Sequence, residues 1–511
     1  MFFSLRTLGL ALAGLGLCTS PLVAQTLSPD QARDDLLYLR QQLRTYHPGL
    51  GHYTPPARME FLFDSLFNRV TEPVTYLTFF RHLTPYVNGL KDGHTNLNHR
   101  HGFIHDQTRY VPFYVRQVGD NYFVSHTAAA EPGFDRGTRL LAVNGVTMRE
   151  LHKILMESDR SGSDGDNVTG RRHWSLMQFA DYYAAWYGSV DSVVLQYQRF
   201  NANGTLDSVV CQTRLAGVTS GAFRQALLKR YPADFGRQSE LRQPNLSLRV
   251  VDSLSGTAVL RVASFLNPGV FDPFQWAFRK RLKRAFKAIR AAGVENLVVD
   301  LQDNGGGVVL NSARLLQFWM PKPFRIMESE HINAAARAEL VNRWNPFSAL
   351  DFAFHYRPDG EGGFASRAAV SRRFVPYRRL AFRGNLYLLM NGSSFSAAAS
   401  VLAKTLDAKQ GTFVGEACGG AYWGDFAGQF KHITLPHSRI QVRIPLKKLL
   451  HAVAATNANG FTIEPDFVAH RTHADLMANR NAALRETLLL IRQQVTAIRA
   501  MPLGNRLEAL K

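Results

Sequence analysis

Between residues 246 and 470 short apolar runs alternate with amphipathic segments, and that alternation leaves few folds open. The runs at 258–262, 297–301 and 386–390 have strand length and are rich in Val and Leu. The segments at 274–292, 309–319 and 396–406 carry helical spacing. Strands alternating with helices predict an α/β layer structure over 246–470. Two of the strands end in unusual sequence. Leu297-Val298-Val299-Asp300-Leu301 breaks into Gln302-Asp303-Asn304-Gly305-Gly306-Gly307, where glycine permits positive φ and close backbone approach. Such a loop can set an N–H against a reacting carbonyl. The run 386–390 enters Asn391-Gly392-Ser393-Ser394-Phe395-Ser396-Ala397, after which a helix begins. A serine at that first helical turn sits beside unpaired N–H groups and the positive end of the helix dipole, which can stabilise an oxyanion. Taken singly, the serines read equally well as helix caps and the glycines as a turn.

The rest of the chain divides by composition. Arg6, the apolar run Leu8 to Leu17 and the small residues up to Ala24 predict a signal peptide over 1–24. The run is too short to span a bilayer, and no second stretch of spanning length follows, so no integral membrane segment is expected after signal removal. Cys18 follows Leu17, where lipoprotein processing requires a small residue. Ser28-Pro29-Asp30-Gln31 is a capping-box start, and Leu36, Leu39 and Leu43 recur at helical spacing behind it. Further helices are expected at 58–69 and at 76–83, the latter ending ahead of Pro85. Residues 26–105 thus form a helical domain containing the polar loop Lys91-Asp92-Gly93-His94-Thr95. Residues 108–235 are β-rich, with strands at 110–115, 122–125 and 139–143, the turn Asn144-Gly145 and a helix at 148–156. Residues 474–511 form a helical tail, and Gly360-Glu361-Gly362-Gly363 is expected to be a mobile loop.

Taken together, the two special segments resemble peptidase family S41, the tail-specific or carboxyl-terminal processing peptidases. The family pattern Asp-Leu-Arg-x-Asn-x-Gly-Gly falls on Asp300 to Gly307, with Gln302 in the arginine position. Its Ser-x-Ser-Ala motif falls on Ser394 to Ala397 and implies Ser396 as nucleophile. Val414-Gly415-Glu416-Ala417-Cys418-Gly419-Gly420 and Ile463-Glu464-Pro465-Asp466 resemble two further family elements. The segment 137–145 resembles part of a PDZ domain. The resemblance implies a ClpP/crotonase-like α/β core behind a helical domain and a PDZ-like domain. It also implies oxyanion donors on Gly306 and Ala397, and no metal or other cofactor.

One departure matters. The Ser-Lys branch of the family places a lysine about 25 residues after its serine, and Ala421 stands there. A serine hydroxyl is a weak nucleophile without a base. Asp92-Gly93-His94-Thr95 resembles the Asp-x-His-Thr segment of the tricorn-like and retinoid-binding-protein-like branch, which implies His94 as the base. Glu464 and Glu416 are both open as the carboxylate that orients it. Lys404, Lys447 and Lys448 are weaker base candidates, and neither His99, His101 and His105 nor His470 and His473 has a recognisable metal spacing.

The expectation is therefore a periplasmic or secreted serine peptidase acting on peptide or protein. The alternatives are a catalytically silent S41-like protein binding peptides or apolar ligands, and a hydrolase of non-peptide substrates. A net charge of +20 favours anionic surfaces, but the basic residues are scattered without a nucleic-acid motif, so no nucleic-acid partner is expected. Cys211 and Cys418 are expected as separate thiols, with a single disulfide the alternative.

Overall fold

The computed structural model describes residues 26–500, apart from 99–106, 159–161, 202–204, 236–244, 253–255, 267–274, 342–345, 368–371 and 455–461. The signal-peptide expectation, and the histidines at 99, 101 and 105, lie outside the described residues.

The chain opens on α1 (Pro29–Tyr46), where Ser28 and Gln31 form the capping box and Leu36, Leu39 and Leu43 are buried. Helix α2 (Pro56–Arg69) follows. Helix α3 (Tyr76–Asn88) runs through Pro85 instead of ending before it. Proline removes one helical N–H, but Tyr86 and Val87 are buried and Gly89 N–H closes on the Pro85 carbonyl, so the last turn holds. After the loop 89–95 comes the short strand β1 (Asn96–Asn98).

The next unit is built on five strands: β2 (Phe113–Val118), β3 (Asn121–Thr127), β4 (Arg139–Val143), β5 (Ser192–Phe200) and β6 (Leu206–Ala216), in the order β6-β5-β4-β3-β2. Asn144 and Gly145 both take positive φ (49° and 81°), as a tight hairpin turn requires. The unit is less purely β than its sequence suggests. Helices α4 (Met148–Ser158), α5 (Val168–Met177), α6 (Phe179–Tyr187) and α7 (Ser220–Arg230) accompany the sheet, and Phe179, Tyr182 and Tyr183 join its core.

The α/β unit begins with β7 (Leu246–Asp252) and β8 (Thr257–Val262), then α8 (Trp276–Ala291), β9 (Asn296–Asp300) and α9 (Val309–Leu316). A second sheet starts with β10 (Met327–Asn333), β11 (Tyr356–Pro358) and β12 (Gly363–Ser366). The chain returns through β13 (Asn385–Met390), α10 (Ala397–Asp407) and β14 (Thr412–Gly415), adds β15 (Gly424–Thr434) and β16 (Gln441–His451), and reaches β17 (Phe467–Val468). The main sheet has the order β7-β8-β9-β13-β14-β17, parallel except for β7. Strands β9 and β13 are neighbours, with Asp300 opposite Leu389, so the glycine loop and the serine loop leave the same edge side by side. That carboxyl edge is where open α/β sheets bind ligands.

The second sheet, β11-β12-β10-β16-β15, accepts β1 along β16, with Asn96 opposite Arg443. Ile433, Leu435, Ile440, Val442 and Ile444 of that hairpin belong to the same apolar cluster as the α1–α3 core. The buried Asp35 carboxylate ties α1 to the hairpin turn by accepting the His437 and Ser438 N–H groups, each at 2.8 Å. The sequence 360–363 is a defined hairpin turn, in which Asp359 Oδ1 accepts the Glu361 and Gly363 N–H groups. The tail divides into α11 (His473–Met477) and α12 (Ala482–Ala500), with Asn479 at φ 48° between them. Cys211 and Cys418 are both free thiols. Among the described residues no helix is long and apolar enough to cross a membrane.

Candidate active site

Ser396 caps α10 at φ 54°, ψ −122°, a conformation that an L-residue adopts only under constraint. Strand β13 delivers it and α10 leaves it, so its side chain stands at a sharp strand-to-helix turn. It is the one residue of 391–400 that is not buried. The turn is fixed from below. Ser394 Oγ donates to the Leu301 carbonyl at 2.8 Å, and Asn391 Oδ1 accepts the Asp303 and Ser393 N–H groups. Phe395 N–H donates to the Asn304 carbonyl at 3.0 Å. The serine and glycine loops are therefore sewn together, and Ser394 acts as scaffold.

Gly306 lies against the serine at φ 102°. A Cβ there would sit 2.7 Å from Ser396 Cβ and 3.0 Å from Ala397 N, so only glycine fits. The Gly306 N–H donates to Asn304 Oδ1 at 2.9 Å, while Asn304 Nδ2 holds the Val262 carbonyl at 2.7 Å. As the loop stands, that donor is satisfied within it.

The histidine loop is held by tertiary contacts. Asp92 is buried, and its Oδ2 takes His47 Nε2 at 3.1 Å and the Thr95 hydroxyl, while its Oδ1 accepts the His94 N–H at 3.0 Å. Burial pushes the Asp92 carboxyl up, but the His47 hydrogen bond and charge outweigh it and hold the group below its usual range. Gly93 N–H donates to Asp164 Oδ1, Gly162 N–H to the Gly93 carbonyl, and Asp164 N–H to the Gly419 carbonyl. Residues 162–167 thus clamp the histidine loop to the chain that follows the serine helix.

His94 packs its ring at a 35° tilt against Phe395, the neighbour of Ser396, with centroids 4.5 Å apart. Its Nδ1 is buried without a hydrogen-bond partner, 3.9 Å from Asp92 Oδ1. Burial first, opposed by Asp92 and aided by Arg443, lowers its pKa to about 4. The ring is therefore neutral at pH 7. Glu464 is exposed and Glu416 half-buried, and both line a cavity with Pro465 and Arg471. The acid that His94 meets is Asp92 of its own loop.

Sequence reasoning missed Asp425, at the start of β15. It is 4 % exposed, lies near enough to Ser396 for that side chain to pull its pKa down, and its Oδ1 has no hydrogen-bond partner. Burial, then the Asp92 charge, raises its pKa to about 7 against the pull of Ser396. The available signal was a lone acid in Ala421-Tyr422-Trp423-Gly424-Asp425-Phe426-Ala427, an otherwise apolar and aromatic run. Asp164 gave no such signal. It too is buried, and burial, Asp92 and Asp425 push its carboxyl well up.

The lysines are occupied elsewhere. Lys404 Nζ bonds Asp407 and the Ala452 carbonyl, and Lys447 Nζ bonds Glu330 and the Tyr356 hydroxyl. Lys448 lies over the Trp423 ring. Asp92, His94 and Asp164 bring one potential ligand atom each within 4.8 Å of one another. Both carboxylates already accept hydrogen bonds from the loop backbones, so the cluster reads as scaffold.

With this geometry in view, comparison places the core. Residues 256–468 match peptidase family S41. No curated protein matches the chain. Among solved structures, mature CPAF complexed with lactacystin superposes with a TM-score of 0.61 at 16% identity, covering 92% of this chain and 98% of that one. Mature CPAF alone gives 0.59 at 16% identity, covering 92% and 97%. The protein thus has a mixed α/β fold similar to that of CPAF, with its core matching the S41 family.

Proposed function

We propose that this protein is an exported serine peptidase of S41 type, forming an acyl-enzyme on Ser396. The observation that carries the reading is the strained, partly exposed Ser396 at the head of α10 with Gly306 packed against it. Periplasmic location or secretion is supported by Arg6 and the apolar run behind it. A peptide would add as a strand to an edge of the PDZ-like sheet, β2 or β6.

In the step from the free enzyme, Ser396 Oγ bonds to the scissile carbonyl carbon and its proton passes to His94. The oxyanion is held by the Ala397 N–H and by the Gly306 N–H, which exchanges Asn304 Oδ1 for it. Asp92 stabilises the imidazolium. His94 then gives the proton to the amine nitrogen as the C–N bond breaks, and water hydrolyses the ester by the same route. A fluorophosphonate probe tests the reading: covalent labelling is expected in the native protein and absent in Ser396→Ala. A folded protein without Ser396-dependent labelling would be the silent ligand-binding alternative.

A second reading of the base is favoured by one observation, the buried Asp425 carboxyl near Ser396 with its Oδ1 unpartnered. In it the proton passes to the Asp425 carboxylate and from there to the leaving amine. A base is most effective when its pKa lies near the working pH, which suits Asp425 better than His94. The two readings share the nucleophile and differ in pH dependence.

A further inference from the structure

A cavity of about 680 Å³, which Ser396 does not line, opens where the β-rich unit, the α/β core and the C-terminal helices meet, with Asp303 and Asn391 of the glycine and serine loops on one wall. Ligand sites commonly span about 300–1,000 Å³. Seven arginines line this one against three aspartates. They come from segments far apart in the chain: Arg116 on β2, Arg261 on β8, Arg471 before α11, and Arg485 and Arg492 on α12. Four of the seven lie within 471–492, and the fold brings Arg116, Arg249 and Arg261 to them.

Two of the aspartates are engaged outside this set. Asp303 takes His173 Nε2 and Asn391 Nδ2, each at 2.9 Å, and Asp234 takes Arg136, His126 and Asn479. Arg116 donates Nη1 to the Val115 carbonyl at 3.1 Å. Burial first, and Arg471 second, pull its pKa down, with Asp303 and Tyr114 opposing. A guanidinium does not discharge at any working pH, so the crowding of cations stays as a cost to the fold. Arg485 pairs through Nη2 with Asp475 and the His470 carbonyl, yet its Nε is buried without a partner.

We propose that this cavity binds a compact multivalent oxyanion of the polyphosphate class, held by Arg116, Arg471, Arg485 and Arg492. Planar guanidinium forks match phosphate oxygens in pairs, and several phosphates on one molecule can reach arginines from separate elements. The unfolded chain disperses those arginines, so the ligand binds the folded form and stabilises it. The inference is independent of the hydrolase reading, because no step involves Ser396.

Calorimetric titration of the full chain with inorganic tripolyphosphate tests it, together with thermal unfolding. A saturable one-to-one isotherm is expected, and at 100 times Kd a Tm rise of about 2–3 °C. Arg116→Ala/Arg471→Ala should weaken binding about a hundredfold and Arg492→Gln about tenfold, in line with charge-assisted hydrogen bonds. Lys280→Ala/Lys287→Ala removes equal charge from exposed positions on α8 and should stay within about twofold of the parent. Equal loss in the two double variants would mean general attraction to a basic chain and would overturn the site, as would the absence of a one-to-one isotherm. If the Arg116/Arg471 double variant does not fold, the exposed Arg492→Gln carries the same decision. Sedimentation with phosphatidylglycerol vesicles separates the sources: vesicle binding lost in Arg492→Gln and displaced by tripolyphosphate identifies a lipid phosphate, and tripolyphosphate binding alone identifies a free oxyanion.

Discussion

The serine loop and the histidine loop lie against each other through Phe395 and His94, but they are built in opposite ways. The serine loop sits on regular structure: a buried strand, a strained turn and a helix, held locally by Asn391 and tied by Ser394 to Leu301 at the end of the neighbouring strand β9. The histidine loop has little regular structure of its own. It hangs on His47 at the end of α1, Asp164 in the β-rich unit and the β1–β16 pairing. A strand-to-helix turn shapes the backbone at Ser396, whereas long-range burial sets the charges that surround it. Changes in the first loop should therefore act on chemistry, and changes in the second on protonation and on the assembly of the units.

The largest expected effect is at the nucleophile. Ser396→Ala should lower peptidase kcat/KM by about 10⁴–10⁶-fold and abolish fluorophosphonate labelling, with Tm little changed. Labelling that survives this substitution would remove Ser396 from the chemistry.

Next comes the choice of base, where each variant should lose about 10²–10⁴-fold if it removes the group that acts. With His94 as base, the pKa of about 4 means that the rate is already at its plateau by pH 6. With Asp425 as base, the rate of labelling rises with pH through about 7, because only the carboxylate accepts a proton. A plateau by pH 6, lost in His94→Ala and kept in Asp425→Asn, would discard the carboxylate; the reverse pattern would discard the histidine.

Gly306→Ala should cost about 10²–10³-fold in kcat, the scale of a lost oxyanion donor, because its methyl would meet Ser396 Cβ and disturb the turn. Near-native kcat in a folded Gly306→Ala protein would show that the loop does not touch the reacting atoms.

The smallest effects fall on stability. Asp425 has its folded pKa raised from 3.8 to about 7. Between those values the folded form keeps a proton that the unfolded chain loses, so stability falls as pH rises through that window. Asp425→Asn removes this loss and should be more stable than the parent at pH 8, by a few kcal/mol at about 1.4 kcal/mol per pKa unit, with the gain gone at pH 4. Denaturant unfolding at the two pH values checks the sign. Asp35→Ala, which strands the His437 and Ser438 N–H groups, should cost about 1–3 kcal/mol at any neutral pH.

Much of this was legible in the residues. The capping box at Ser28, the alternation over 246–470 and the two loops at the ends of β9 and β13 are short-range patterns, and the chain folds them as their local preferences dictate. The turn at Ser396 and the loop at Gly306 could be read because strand-to-helix turns and glycine loops depend largely on neighbours close in sequence. Pro85 shows the limit even there, since burial of Tyr86 and Val87 carries α3 past a residue that disfavours it. Asp425, Asp164 and the arginine cavity were not legible. Their properties come from charges and burial contributed by segments hundreds of residues away, and a carboxylate's pKa is set by what surrounds it in space. The sequence by itself determined a serine at a helix head and a glycine loop, each at the end of a buried strand. Only the tertiary structure decided which acids stand around that serine, because desolvation and Coulomb interaction depend on distance through the fold and not along the chain.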